Sequence, residues 1–587
     1  MVETGGYGLD VLVNAAGILV LGPVEAVSGQ QTRAQRPARP AAASFAAAGR
    51  GVAVKYEGWG FNATDKLVPE QRRQQDYRAL RERAERISDG AAAWTATVRL
   101  SRGTAGGKGV RDGRTTDRDS RWPGRGAAAR RPRRGGLLPG EDAYDEARRV
   151  WNAMVDRRPA IIARCASPAE VAAAVRFGRE HGLELGVRCG GHSVLGISVP
   201  AGGLMVDLTP MQAVRVDPER RRAWVQGGSR LRNLDRATQP FGLATTAGNV
   251  SHTGVGGLTL GGGMGWLARC LGLACDNVAR FELVTADGEV VHASETENPD
   301  LYWGLRGGGG NFGVVTEFEF RLHPVGTAAL LVELYHAPDH APAALRRWRD
   351  LLPDAPRQAT LTAWAGTSGE APFLPPELHG RPLINVGYVW VGDPEEGRAL
   401  LPALRDGAVP LVERVEEMTY LEVQTMDDHK HGHGWRRYWK GHYLREFGDG
   451  AIDAFVSRGV GRGDGDPDPA SLPSATLQAY GGAIGAIGDD DTAFAQRGTL
   501  VEFVADAVWT DPATDESRIA AARRYGAAIE PFASGVYVNS LADEGEAGTR
   551  RAYGSDKLAR LAAVKERYDP DNIFHLNHNI RPRRPGA

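Results

Sequence analysis

Arg188-Cys189-Gly190-Gly191-His192-Ser193 sets a histidine on two consecutive glycines between two short apolar runs. Leu183-Glu184-Leu185-Gly186-Val187 before it predicts one strand, and Leu204-Met205-Val206-Asp207-Leu208 after it predicts another, because short aliphatic runs bounded by turn residues fit buried strands. Gly190 and Gly191 admit backbone angles closed to other residues, so successive N–H groups can converge on an anion such as a pyrophosphate. His192 would then stand beside that anion's carrier. A histidine in a glycine turn is more often an ordinary turn residue, so the flanking sequence has to choose between the two.

Upstream, Pro159-Ala160-Ile161-Ile162-Ala163 predicts a strand. Ser167-Pro168-Ala169-Glu170 has the form of a capping box with proline at the first helical position, opening a helix to about Glu180 that Gly182 closes. Downstream, Ala213–Val216 and Arg222–Gln226 form a hairpin-like pair turned by Asp217-Pro218-Glu219, followed by a helix near Leu231–Gln239.

Two further glycine clusters follow. The second runs from Ala247-Gly248-Asn249-Val250-Ser251-His252-Thr253-Gly254 to Gly265, and the third is Trp303-Gly304-Leu305-Arg306-Gly307-Gly308-Gly309-Gly310-Asn311-Phe312-Gly313, leading into the strand Val314–Phe320. So many glycines beside strands imply close backbone approach to something flat or phosphorylated. Gly263-Met264-Gly265-Trp266-Leu267-Ala268 also satisfies G-x-G-x-x-A, with Glu282 about twenty residues on. A dinucleotide site of that kind needs a buried parallel strand before it, whereas the preceding segment is polar and glycine-rich, and Glu282 lies at the start of Phe281-Glu282-Leu283-Val284.

With 587 residues the chain can bury more than one core, and a net charge of −1 gives no global attraction to nucleic acid. The four cysteines, Cys165, Cys189, Cys270 and Cys275, make no CxxC pair, which points to a reducing, cytoplasmic setting. No apolar run reaches the roughly 18 residues that would span a bilayer. Val11–Val20 has the apolarity of a signal-peptide core, but Glu3 and Asp10 stand where basic residues are expected. Residues 1–136 read as a low-complexity leader: alanine and arginine dominate 31–50, and arginines recur over 102–134 against only Asp112, Asp117 and Asp119. Such composition predicts disorder.

Within the leader, Leu9-Asp10-Val11-Leu12-Val13-Asn14-Ala15-Ala16-Gly17-Ile18 resembles a strand and turn of short-chain dehydrogenases. No nucleotide-binding turn precedes it, and the chain's Tyr-x-x-x-Lys, Tyr553 to Lys557, lies at the far end, so the fragment is read as a relic, a fusion scar or a misassigned start and not as an active site.

The three clusters, with Gly202-Gly203-Leu204 and the tail Tyr568-Asp569-Pro570-Asp571-Asn572-Ile573-Phe574, resemble the berberine bridge enzyme-like flavoproteins, within the vanillyl-alcohol-oxidase (PCMH) type of FAD-binding fold. The resemblance covers about Leu137 to Pro582. It implies an α+β chain with a two-part FAD-binding domain over 137–325, a substrate domain over 326–540 with an antiparallel sheet covered by helices, and a segment over 541–587 that returns to the FAD domain. It also implies FAD bonded covalently to His192 through the 8α-methyl, which needs a neutral, rigidly held imidazole. Expected flavin contacts are Arg188, Gly190, Gly191 and Ser193 in the first cluster. Gly248, Asn249, Ser251, Thr253, Gly254, Gly256, Gly257, Gly261 and Gly262 supply those of the second. Gly313, Val315, Asn577 and Asn579 complete the set.

The departures are specific. Where many relatives carry a second, cysteinyl flavin link, this chain has Val250, so a single histidyl tether is expected. Thr253 falls where the family places a residue that gates oxygen. Glu502 falls where some relatives have a glutamate over the flavin; a carboxylate in an apolar cavity can act as a base near neutral pH, though a solvent-facing strand residue is equally consistent with the local sequence. The tyrosine base of other relatives is replaced by Ser540 after Tyr537-Val538-Asn539. Tyr480 and Tyr537 are the remaining candidates for the substrate side. His429, His431 and His433 alternate, but Lys430 and Gly432 suggest a loop, and no metal is expected.

The expected activity is hydride transfer from an alcohol, a sugar or a secondary-metabolite substrate to the flavin, with molecular oxygen reoxidising it to give hydrogen peroxide. The expected partners are thus a small-molecule substrate and oxygen, with no nucleic acid and no membrane. A flavin dehydrogenase using another acceptor, or a relic that does not load flavin, would keep the same motifs.

Overall fold

The computed structural model describes residues 135–583 apart from 407, 431 and 462–467, together with four short strands nearer the start. Those four pair as antiparallel hairpins, Val11–Asn14 with Gly17–Val20 and Phe45–Ala48 with Gly51–Val54, in a unit separate from the one that holds everything below. The dehydrogenase-like fragment therefore folds back on itself where a dinucleotide fold would turn from strand into helix. The rest of the leader, its arginine-rich stretch included, lies outside the described residues.

The first half of the FAD-binding domain is a four-stranded sheet of β1 (Gly135–Leu137), β2 (Ile161–Arg164), β3 (Leu185–Arg188) and β4 (Leu204–Asp207), in the order β1-β2-β4-β3. β4 runs parallel to β2 and β3. Helix α1 (Pro168–Glu180) makes the β2-to-β3 crossover; Ser167 caps it by accepting from the Glu170 N–H. The reciprocal arm differs from the predicted capping box: the Glu170 carboxylate accepts from the Ala166 N–H at 2.9 Å, one residue before the cap. The His192 loop leaves the carboxyl end of β3, the end of a parallel strand at which α/β proteins collect ligands.

The second half is an antiparallel sheet of β5 (Val214–Asp217), β6 (Arg222–Gln226), β7 (Val278–Val284), β8 (Val290–Ser294) and β9 (Val314–Arg321), in the order β8-β7-β9-β6-β5. Helix α2 (Leu231–Thr238) and the short helix α3 (Val255–Leu260) lie between β6 and β7. The G-x-G-x-x-A run follows α3 as an irregular stretch, and Glu282 accepts from the Thr316 hydroxyl at 2.8 Å within the sheet. It is no dinucleotide turn.

A seven-stranded antiparallel sheet forms the next layer: β10 (Ala328–His336), β11 (Ala359–Thr367), β12 (Pro382–Val391), β13 (Val412–Thr419), β14 (Arg436–Leu444), β15 (Ser474–Ala479) and β16 (Val501–Trp509). Its order is β13-β10-β12-β11-β15-β16-β14. The two-residue period sends Val501, Phe503 and Ala505 to one face, where Trp348, Phe455 and Tyr525 of the covering helices bury them. Glu502, Val504 and Val508 face the FAD-binding domain across a cavity. The fold is thus α+β, as the sequence predicts.

The C-terminal helix α4 runs over Gly545–Tyr568, and Gly554 at φ 73° kinks it into two. Its end is fastened to the third glycine cluster. The Lys565 ammonium, fully buried with Asp569 at 2.6 Å, also donates to the carbonyls of Asn311 and Phe574. Among the described residues no helix is long and apolar enough to cross a membrane, and all four cysteines are free thiols.

Candidate active site

Two glycine loops meet backbone to backbone at His192. A Cβ on Gly190 would lie 2.2 Å from the Gly254 nitrogen, and one on Gly254 would lie 2.3 Å from the Gly190 nitrogen, so neither position tolerates a side chain. Gly191 takes φ 70°, and its carbonyl accepts from the Trp151 N–H. The Trp151 ring stacks on the His192 ring, with centroids 4.8 Å apart and 16° between planes. On its other edges the imidazole shares a 2.7 Å hydrogen bond between its Nε2 and the Nδ1 of His252, and its Nδ1 lies 3.4 Å from the Thr253 hydroxyl.

The loop that carries the three alternate histidines closes this end of the site. His433 stands edge-on to His192 and 5.5 Å from His252. Burial, with His252 and the Arg230, Arg188 and Arg437 guanidinium groups nearby, pushes His433 down to about 4, so it is neutral at physiological pH. Asp428 fastens the loop by accepting from both the N–H and the hydroxyl of Ser251, at 2.9 and 2.6 Å. His431 lies outside the described residues, and among the described residues no cluster of His, Cys, Asp or Glu is arranged to hold a metal ion.

From His192 a cavity of about 1140 Å³ runs between the FAD-binding domain and the polar face of the seven-stranded sheet. That exceeds the usual range for one small-ligand pocket. Gly190, Gly191, His192 and Ser193 line it from the first cluster; Asn249, Thr253, Gly254, Gly256 and Gly257 from the second; Gly313, Val315 and Asn577 from the rest of the domain. A Cβ on Gly257 would meet nothing within 4 Å, so the empty space there belongs to the cavity. Asn249 donates to the Gln478 carbonyl oxygen, leaving the Asn249 Oδ1 acceptor and the Gln478 Nε2 donor buried and unpartnered at the cavity wall. Glycine backbones, open space and an unpaired donor and acceptor together fit a flat, polar-edged group such as a flavin.

Other expected contacts sit behind this wall. Arg188 donates to the Ala147 carbonyl. Gly248 packs between Leu231 and Leu258, Gly261 against the Asn539 amide, and Gly262 against Phe494 and Tyr537. Ser251 is bound to Asp428, and Asn579 keeps a buried, unpartnered Oδ1.

Glu502 and Tyr537 line the same cavity. Glu502 is 6% exposed; the Ser540 hydroxyl donates to its Oε1 at 2.7 Å and the Tyr480 hydroxyl to its Oε2 at 2.9 Å. Burial outweighs both hydrogen bonds and pushes the carboxyl up to about 7. The Tyr537 oxygen accepts from the Gly263 N–H and from Asn539 Nδ2, both at 2.8 Å, which leaves its own proton to donate.

Several of these residues carry no local signal. Trp151, His252, Asp428 and His433 come together only through the fold, from positions up to 282 apart in the chain. Gln478 was legible: Ser474, Thr476 and Gln478 alternate with Ala475, Leu477 and Ala479, the pattern of a strand with one polar face.

The chain matches the FAD binding domain model over residues 159–294 and the berberine and berberine-like model over 536–581. It is 29% identical to (R)-6-hydroxynicotine oxidase of Paenarthrobacter nicotinovorans over 76% of this chain and 96% of that protein. The crystal structure of 6-hydroxy-D-nicotine oxidase from Arthrobacter nicotinovorans superposes with a TM-score of 0.66 at 27% identity, over 76% of this chain and 98% of that one. Glucooligosaccharide oxidase from Acremonium strictum, described with a 6-S-cysteinyl, 8α-N1-histidyl FAD, shares the fold at a TM-score of 0.68 and 24% identity, over 77% and 97% of the two chains.

Proposed function

We propose that this chain, an FAD-linked oxidoreductase of the berberine bridge enzyme-like kind, holds its flavin through His192 alone and oxidises a small alcohol, sugar or secondary-metabolite substrate with Glu502 as the proton acceptor. One observation carries this: His192, cradled by two glycine loops, and Glu502, a buried carboxyl raised to about 7, line one continuous cavity.

Bound FAD would supply the hydride acceptor, with molecular oxygen as the final electron acceptor, itself reduced to hydrogen peroxide. The residues of this chain supply binding, orientation and proton transfer. Gly190, Gly254 and Gly257 give the cofactor backbone contact without side chains in the way. Asn249 and Gln478 offer an acceptor and a donor to its polar edge. Val250 provides no thiol, so His192 is the single tether. His252, the neutral His433 and the stacked Trp151 keep the attachment site dry. As the substrate C–H bond gives up its hydride, Glu502 Oε takes the proton from the neighbouring O–H or N–H, and near pH 7 about half of these carboxylates are free to do so. Tyr537 can donate to a substrate oxygen and hold it in line.

Oxygen uptake and peroxide release, followed with a panel of alcohols, aldoses and cyclic amines, test this directly. Turnover with a dye acceptor but without oxygen uptake would favour a dehydrogenase. A colourless purified protein would defeat the proposal.

A further inference from the structure

Glu502 is governed by hydroxyl groups. Facing it are Tyr443 from β14, its register partner there; Gln478 and Tyr480 at the end of β15; and Tyr537 and Ser540 from the C-terminal turn. Among the described residues no cation acts on its charge: burial works against the ionised form, and only the Ser540 and Tyr480 hydrogen bonds support it. The three tyrosines are themselves held protonated, by burial first and by the Glu502 charge second or third.

The donors form a directed chain. Tyr480 gives its single proton to Glu502 Oε2, so towards Tyr443, 3.2 Å away and fully buried, its oxygen can only accept. Tyr443 therefore donates to Tyr480, and Tyr480 to Glu502, while Ser540 closes on the opposite oxygen from the C-terminal turn. Ser540 has no such second donor behind it among its hydrogen bonds, and it is 5% exposed, so close to the β14 backbone that a Cβ on Gly441 would come within 2.8 Å of the Ser540 Cβ.

We propose that Ser540 is a positioning residue for the proton acceptor: with the Tyr443–Tyr480 chain it clamps both oxygens of the Glu502 carboxylate and sets how readily that group takes the substrate's proton. This rests on Glu502 being the acceptor. A hydrogen bond to a charged carboxylate favours the ionised form, so losing one makes the group hold its proton to higher pH. The expected displacement is about one to two pH units per lost donor. At pH 7 that leaves about five- to fifty-fold less ionised carboxylate, and a rate reduced in proportion but recovered at higher pH.

The test is difference infrared spectroscopy of the flavin-loaded enzyme against pH, following the protonated-carboxyl C=O band that Glu502→Gln removes. Ser540→Ala, which only deletes an oxygen, should raise the midpoint of that band by about one to two pH units, with Tyr480→Phe comparable and Tyr443→Phe a smaller shift of the same sign. The acid limb of the kcat/KM profile should move with it. A Ser540→Ala enzyme with an unmoved midpoint overturns the proposal, as does a rate loss that higher pH does not restore. Full activity in Glu502→Gln would instead remove Glu502 as the acceptor, while the band midpoint would still decide what Ser540 does to it.

Discussion

Replacing Glu502 by glutamine should let the protein gain stability relative to wild type as pH rises. The folded-state carboxyl lies at about 7 against an ordinary value of 4.5, with burial as the largest cause. Because the folded protein binds this proton more tightly than the unfolded chain, the wild type loses stability as pH climbs from 4.5 through 7 and carries the full penalty above that window. The displacement corresponds to about 3 kcal/mol, most of it developed between pH 5 and pH 8.5. Glutamine is neutral throughout and escapes the penalty. It cannot accept from both Ser540 and Tyr480, but that cost does not depend on pH. Thermal unfolding of wild type and Glu502→Gln at pH 5 and 8.5 should therefore show the variant gaining about 2 to 3 °C relative to wild type between the two pH values, given the unfolding entropy of a body this size. A difference in Tm that is equal at both pH values, or that shrinks as pH rises, would refute a carboxyl kept protonated by burial.

Further outcomes follow from the same geometry. Glu502→Gln should slow flavin bleaching by substrate about 10²- to 10⁴-fold in anaerobic stopped flow, the usual worth of a positioned base. Gly254→Ala, whose Cβ would strike the Gly190 backbone at 2.3 Å, should prevent flavin loading together with native folding, seen as loss of both yellow colour and a cooperative melt. Gly257→Ala faces open cavity, so its flavin-free form should melt within about 1 kcal/mol of wild type while flavin retention falls. Lys565→Met strands Asp569 in a fully buried site and should cost about 3 to 5 kcal/mol by denaturant unfolding, with the C-terminal segment becoming the first site of proteolysis.

Legibility in the sequence followed the range of the interactions. The β2–α1–β3 unit and the His192 loop are local: proline, serine and glycine at fixed offsets punctuate short apolar runs, and the structure places them within one or two residues of expectation. The glycine clusters were visible as composition, but the reason for them, Gly190 locked on Gly254 across 64 residues, is tertiary. Glu502 was a balanced choice between a solvent face and a cavity face until the sheet placed β16 between β14 and β15. His433 shows the limit most clearly. Its alternate spacing with His429 and His431 suggested a metal question, whereas the fold carries it 241 residues back to stand beside His192. The first half of helix α4, rich in glycine and charge, carries little helical signal of its own; packing of Ala552 and Tyr553 on the FAD-binding core supplies what propensity lacks.

The single histidyl tether is tested most directly by acid precipitation of the purified protein, with the flavin absorbance of pellet and supernatant read separately. Wild type should keep its flavin in the pellet, and His192→Ala should release all of it to the supernatant, since Val250 offers no second link. Flavin released from wild type, or flavin still in the His192→Ala pellet, would contradict the account.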